Sequence, residues 1–309
     1  MSLCRIPGLA AVLAAVATLA GCGLGPGPGT GDVSLTVTKN FGGRPVAVVK
    51  QSRVPGAETV MRMLERHFHV GTKYGGGFVE SINGNAGNGS RTDWFYYVNG
   101  IQAGQGAATT NVHRNDRVWF DLHDWHATDS IPAVVGSFPA PFTNGIGGKR
   151  LPTTVECASE VSAACQRVAA ELRSAGVPAA SQLLGTGSGP DTLGVVVGPW
   201  RDLASEVAAS YIEHGPGASG VYARFAGRHG STLELLDPAG HVVRRLGPGA
   251  GLVAATADTT SVPTWLITGT DAAGVSAAAR ALNAGDLHNH FALAVSGNEQ
   301  IPIPVPAAG

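Results

Sequence analysis

The sequence predicts an α+β protein in which a small β-grasp-like domain is followed by an α/β domain. Two observations carry that expectation. Residues 31–128 read as strand, strand, helix and three further strands, with one helical stretch only. From Leu151 the pattern changes to apolar strands alternating with helices, the grammar of a sheet buried on both faces. A chain of 309 residues accommodates two domains of about 150 residues each. Between the two lies a stretch with Pro132, Pro139 and Pro141, then Gly145, Gly147 and Gly148. That composition marks residues 129–150 as a linker, an ordered crossover with a flexible end.

In the first domain, Val33, Leu35 and Val37 alternate with polar residues over 32–39, the period of a half-buried strand. A second strand covers 45–51. Val60, Met63, Leu64 and Phe68 recur at helical spacing after Pro55-Gly56. Residues 77–82 read as a strand, 83–90 as an Asn/Gly loop and 93–98 as a strand. Asn99-Gly100 then signals a tight hairpin, because both residues tolerate positive φ. Residues 117–123 close the set.

In the second domain, strands are predicted at 153–157, 193–197, 221–226, 232–236, 241–245, 265–268 and 291–295. Helices are predicted at 161–175, 201–213 and 271–282. The domain spans 151–297, and residues 298–309 form a Pro-rich tail in which Ile301–Pro306 favours polyproline geometry.

Composition narrows the function. Charged residues make up only 14% of the chain and the formal net charge is −1. A nucleic-acid binder carries a basic face, so no nucleic-acid partner is expected. Residues 9–20 form an apolar run after Arg5, too short for the roughly 20 residues of a membrane span but suited to a signal-peptide core. The run ends in Leu19-Ala20-Gly21-Cys22, which resembles the lipobox of bacterial lipoproteins. The resemblance implies a signal peptide at 1–21, lipidation of Cys22 and a Gly/Pro tether over 22–30. The working protein is then held by acyl chains on the extracytoplasmic face of the cell membrane. An ordinary secretory signal with an incidental Cys22 is the alternative.

Cys4 leaves with the signal, so Cys157 and Cys165 remain as a pair in an oxidising compartment, where a disulfide is favoured. Within one helix the two would stand roughly 12 Å apart at about 1.5 Å per residue, too far to bridge. The bridge therefore requires Cys157 at a strand end and Cys165 in the helix that follows.

The segments Gly77-Phe78-Val79-Glu80-Ser81-Ile82-Asn83-Gly84, Asp93-Trp94-Phe95-Tyr96-Tyr97-Val98-Asn99-Gly100 and Asn115-Asp116-Arg117-Val118-Trp119-Phe120 resemble the transcobalamin-like C-terminal domain family. Asn115 stands where the family more often has Gly. The resemblance covers about a third of the chain. It implies capture of a small ligand, with a corrinoid as the specific candidate. In the eukaryotic cobalamin carriers such a domain caps the corrinoid against a larger helical barrel, of which this sequence carries no sign.

In a strand, Trp94, Tyr96 and Val98 face one way and Phe95 and Tyr97 the other, while Trp119 and Phe120 divide likewise. One face serves the helix. The second is either covered by loops or the other domain, or open as an aromatic platform for a flat ligand. Trp94, Tyr96, Tyr97, Asn99 and Trp119 are the candidate ligand-binding residues.

No metal site is expected. His123 and His126 point to opposite faces if the strand continues, and neither His67/His69 nor His288/His290 has a third ligand nearby in sequence. No catalytic residue is assigned either: Gly217-Ala218-Ser219-Gly220-Val221 breaks the nucleophile-elbow pattern at its fifth position. Gly185-Thr186-Gly187-Ser188-Gly189-Pro190 precedes a strand instead of following one and lacks the lysine of a phosphate loop. The loops at 197–200 and 268–271 fit ordinary turn and helix-cap chemistry as well as anion binding. Two functions follow, a lipid-anchored binding protein for a small ligand, or an envelope lipoprotein that docks a protein partner through the aromatic face or the tail.

Overall fold

The structure is a computed structural model that describes residues 32–53, 55–258 and 262–306. Cys22, the signal segment and the tether lie outside the described residues.

β1 (Val33–Lys39) turns at Asn40–Gly43 into β2 (Arg44–Gln51). The alternation of β1 has the expected result: Val33, Leu35 and Val37 are buried. Thr59 caps α1 (Val60–His67), its hydroxyl accepting from the Arg62 N–H at 3.3 Å, and Val60, Met61, Met63 and Leu64 form the buried stripe. β3 (Val70–Lys73), β4 (Phe78–Ile82) and β5 (Asn85–Ala86) make a small antiparallel sheet. β6 (Thr92–Val98), β7 (Ile101–Gln102) and β8 (Arg117–Asp124) complete the main one. Its strand order is β2-β1-β8-β6-β7, with β1 and β8 parallel at the centre. α1 lies on one face of it, over Trp94, Val118 and Phe120.

α2 (Ala140–Asn144) follows. The linker is a packed segment: Val135, Phe138 and Phe142 are fully buried against Trp265 and the second domain. Next come β9 (Thr153–Cys157), α3 (Ser162–Ser174), β10 (Ala179–Leu183) and β11 (Leu193–Pro199). The chain continues through α4 (Trp200–Leu203), α5 (Val207–Glu213) and α6 (Pro216–Ser219). β12 (Ala223–Ala226), β13 (Thr232–Leu236) and β14 (Val242–Leu246) form a three-stranded sheet. β15 (Ala250–Thr256), β16 (Thr264–Gly269), α7 (Ala272–Ala281), β17 (Ala292–Ser296) and β18 (Glu299–Ile303) finish the fold.

The large sheet has the order β10-β9-β11-β16-β15-β17-β18, parallel from β10 to β16 and antiparallel beyond. α3 and α7 cover one face. α5, the β12–β14 sheet and three residues of the first domain, Phe41, Tyr97 and Trp119, share the core on the other. α7 can lie this close because Gly274 faces β15: a Cβ there would stand 2.1 Å from the Ala250 carbonyl oxygen.

Two features depart from the sequence expectation, the tail and the strand set, while the disulfide is the expected one. Residues 299–303 are not a polyproline tail; they form the edge strand β18, with Ile301 and Ile303 buried. Pro302 is tolerated there because an edge strand need not donate on its outer side. β10 and β15 have no counterpart in the predicted set. Cys157 and Cys165 are bridged, with Cα atoms 6.0 Å apart, one ending β9 and the other in the first turns of α3.

Candidate ligand-binding cleft

Asn99 and Gly100 take φ of 55° and 81°, so the hairpin after β6 is the tight turn that their side chains permit. Asn99 is wholly buried and fully employed. Its amide donates to Asp116 Oδ1 at 2.8 Å and to the Gly145 carbonyl at 3.0 Å, while its Oδ1 accepts from the Arg117 N–H at 2.9 Å. It locks β6 to β8 and to the end of α2 and cannot meet a ligand.

Tyr97 and Trp119 are also corrections to the candidate set. They pair across β6 and β8 on the face that the second domain covers. Tyr97 lies 5.6 Å and Trp119 5.2 Å from Phe291, ring centroid to ring centroid. Beside them His123 stacks between Phe41 at 4.6 Å and Phe95 at 4.4 Å, and its Nδ1 is 2.9 Å from Asp121 Oδ1. Asp121 also accepts from the N–H groups of Phe41 and Gly42, at 2.9 Å each. Trp119 Nε1 donates to Thr38 Oγ1 at 2.7 Å, and that hydroxyl donates to Asp121. The His123-Asp124-Trp125-His126 run thus contributes a buried histidine to an interdomain network. Among the described residues, no three His, Cys, Asp or Glu side chains group to hold a metal ion.

Trp94 and Tyr96, on the opposite face, border a cleft of about 480 Å³. One side is Gly77–Val79 of β4 and its approach, the other the loop from Gln102 to Ala107, and Trp125 and Asp129 stand at its margin. Trp94 is buried and donates its indole N–H to the Asn85 carbonyl at 3.0 Å. Tyr96 stacks on Phe120 at 5.1 Å, donates its hydroxyl to the Gln105 carbonyl and lies 2.8 Å from Thr110 Oγ1. Burial pushes the Tyr96 phenol above its ordinary value, against the hydrogen bond from Thr110.

Two polar groups give the cleft its character. Burial raises the Asp93 carboxyl, with Trp125 and Lys73 acting in the opposite direction. The indole N–H of Trp125 is buried beside it with no acceptor at hydrogen-bond geometry. The indole N–H is directed toward the Asp93 carboxylate, which places a donor and an acceptor side by side at the cleft. Sequence reasoning found Trp94 and Tyr96 through the alternation of β6. It missed Asp93, Trp125 and the 102–107 loop, because only the fold brings them together.

The glycine run at 185–190 serves the chain itself: the Gly187 N–H (3.0 Å) and the Ser188 hydroxyl (2.6 Å) both donate to buried Glu156. Its anion is therefore a carboxylate of the same protein.

Residues 57–124 match the family model described as Domain of unknown function (DUF4430). This match falls on the strands that carry the resemblance to the transcobalamin-like C-terminal domain. No curated protein matches the chain. Among solved structures, one from Ruminococcus gnavus ATCC 29149, described as that of a "putative metal binding protein", is similar over 30% of this chain and 97% of its own. The identity there is 16% and the TM-score 0.26.

Proposed function

We propose that this protein captures a small, flat ligand in the cleft beside β6, while Cys22 carries the lipid that tethers it to the extracytoplasmic face of the cell membrane. The observation that carries the reading is a cleft of about 480 Å³ walled by Trp94, Tyr96 and Phe78, with the Asp93 carboxyl and the Trp125 indole converging at one side. Pockets of roughly 300–1,000 Å³ with aromatic walls and a few converging polar groups are the usual form of small-molecule sites. A corrinoid, presenting one edge to the cleft, is the candidate that the family resemblance supplies. Docking of an envelope protein has less support, because the second aromatic face and the β18 segment are both packed within the chain.

The test is a tryptophan-fluorescence titration of the purified protein with a corrinoid panel, corrected for inner-filter absorption. Saturable quenching that weakens at least tenfold in Trp125→Phe supports the reading. Flat traces across the panel remove the corrinoid. For the anchor, metabolic labelling with radioactive palmitate is expected to mark the wild type and not Cys22→Ala.

A further inference from the structure

β6 reaches the cleft with an open backbone edge. Towards β8 the odd-numbered residues hold the ladder, since the Asn99 N–H donates to the Arg117 carbonyl at 2.8 Å and the Trp125 N–H to the Arg91 carbonyl at 2.9 Å. In an antiparallel pair the alternate residues turn both backbone groups the other way, so Thr92, Trp94 and Tyr96 face outward. The Thr92 carbonyl accepts from the Asn88 N–H at 3.0 Å, and the Tyr96 carbonyl from the Ala103 N–H at 3.2 Å. β7 pairs only with Tyr97 and Val98. Among the described residues no strand pairs with this edge at Trp94, so the Trp94 N–H, the Trp94 carbonyl and the Tyr96 N–H are left open along the edge of β6, which borders the cleft.

We infer that the ligand of this cleft carries a carboxamide, bound by the Trp94 N–H and carbonyl as an adjoining strand would bind them. This rests on the cleft being the ligand site. An amide supplies an acceptor and a donor side by side, the complement of one residue's outward pair, whereas an ester supplies only acceptors and an ammonium, the form benzylamine takes at neutral pH, only donors. The open stretch is a single residue long between Asn88 and Ala103, too short to seat a peptide strand, so the amide belongs to a small molecule. The far wall is closed by Gly106, where a Cβ would stand 2.9 Å from the Gly77 carbonyl oxygen.

The experiment is ¹⁵N-correlated NMR of the protein with benzamide, methyl benzoate and benzylamine as probes. Benzamide is expected to move the Trp94 and Tyr96 amide resonances downfield and to bind about fivefold more tightly than methyl benzoate, the worth of one net hydrogen bond. Trp94→Pro, which deletes an outward N–H and leaves the β8 ladder intact, is expected to abolish that preference. Trp94→Ala, which keeps the N–H, is expected to retain it. Equal binding of amide and ester overturns the inference and leaves ligand capture standing. Failure of every probe to move the Trp94 and Tyr96 amides also overturns it, and the corrinoid titration then decides the capture reading separately.

Discussion

Trp119 and Phe291 meet edge to face, with ring centroids 5.2 Å apart and planes at 74°, and in doing so join two sheets that lie far apart in sequence. Both rings are buried, and Tyr97 packs on the same Phe291 edge. Trp119→Ala is expected to cost about 3–5 kcal/mol, the usual range for deleting a large buried ring. Chemical denaturation followed by circular dichroism checks this. One transition is expected in the wild type, because the two domains share this core, and two in the variant.

Tyr97 carries a hydroxyl that is buried without a partner. Burial, with Asp121 and Tyr222 nearby, drives its phenol well above the ordinary value, so it stays protonated. Tyr97→Phe keeps the ring contacts and removes a desolvated polar group. The variant is expected to be more stable than the wild type by about 1 kcal/mol, measured by thermal melting.

The Asp116 carboxyl is raised above its ordinary value of 3.8 by burial, which outweighs hydrogen bonds from His113 and Asn99. The folded state therefore holds this proton more tightly than the unfolded chain. Its contribution is fully present below about pH 3.8 and is lost as the pH rises through the folded value. Stability measured from pH 3 to 7 is expected to fall more steeply across that window in the wild type than in Asp116→Asn.

The Cys157–Cys165 bridge closes a short loop, with a sequence separation of 8. Chain-entropy arguments give such a loop about 2.5 kcal/mol of stabilisation. The double substitution to serine is expected to lose about that much in denaturant titrations, and thiol labelling of the denatured, unreduced protein is expected to leave Cys157 and Cys165 unmodified until a reductant is added.

Where side-chain pattern alone decides the structure, the sequence was informative. β1 alternates apolar and polar residues, Asn99-Gly100 can make only a few turns, and α1 carries one apolar stripe. β15 was not legible, since Ala250, Gly251, Ala254 and Ala255 carry too little bulk to signal a strand, yet it sits between β16 and β17 in the large sheet. Which aromatic face of β6 stays open depends on where the second domain docks. That contact is made by Phe291, 194 residues downstream of Tyr97 and 172 downstream of Trp119, and by Tyr222, which packs on Phe41 from 181 residues downstream, and no local window contains it. Trp125 and Asp93 join the cleft for the same kind of reason, through pairing of β6 with β8.

The parallel pairing of β1 with β8 also governs the order in which the protein can assemble. β1 finds β2 at once, but its other edge has no partner until Asp124 has been made. Translation at about 5–20 residues per second puts on the order of ten seconds between those two events. Through that interval Val33, Leu35 and Val37 lack Val118 and Phe120, which belong to the same core cluster. Synthesis therefore leaves the nascent domain with an open, apolar strand edge at its centre, the kind of surface that chaperones are built to shield.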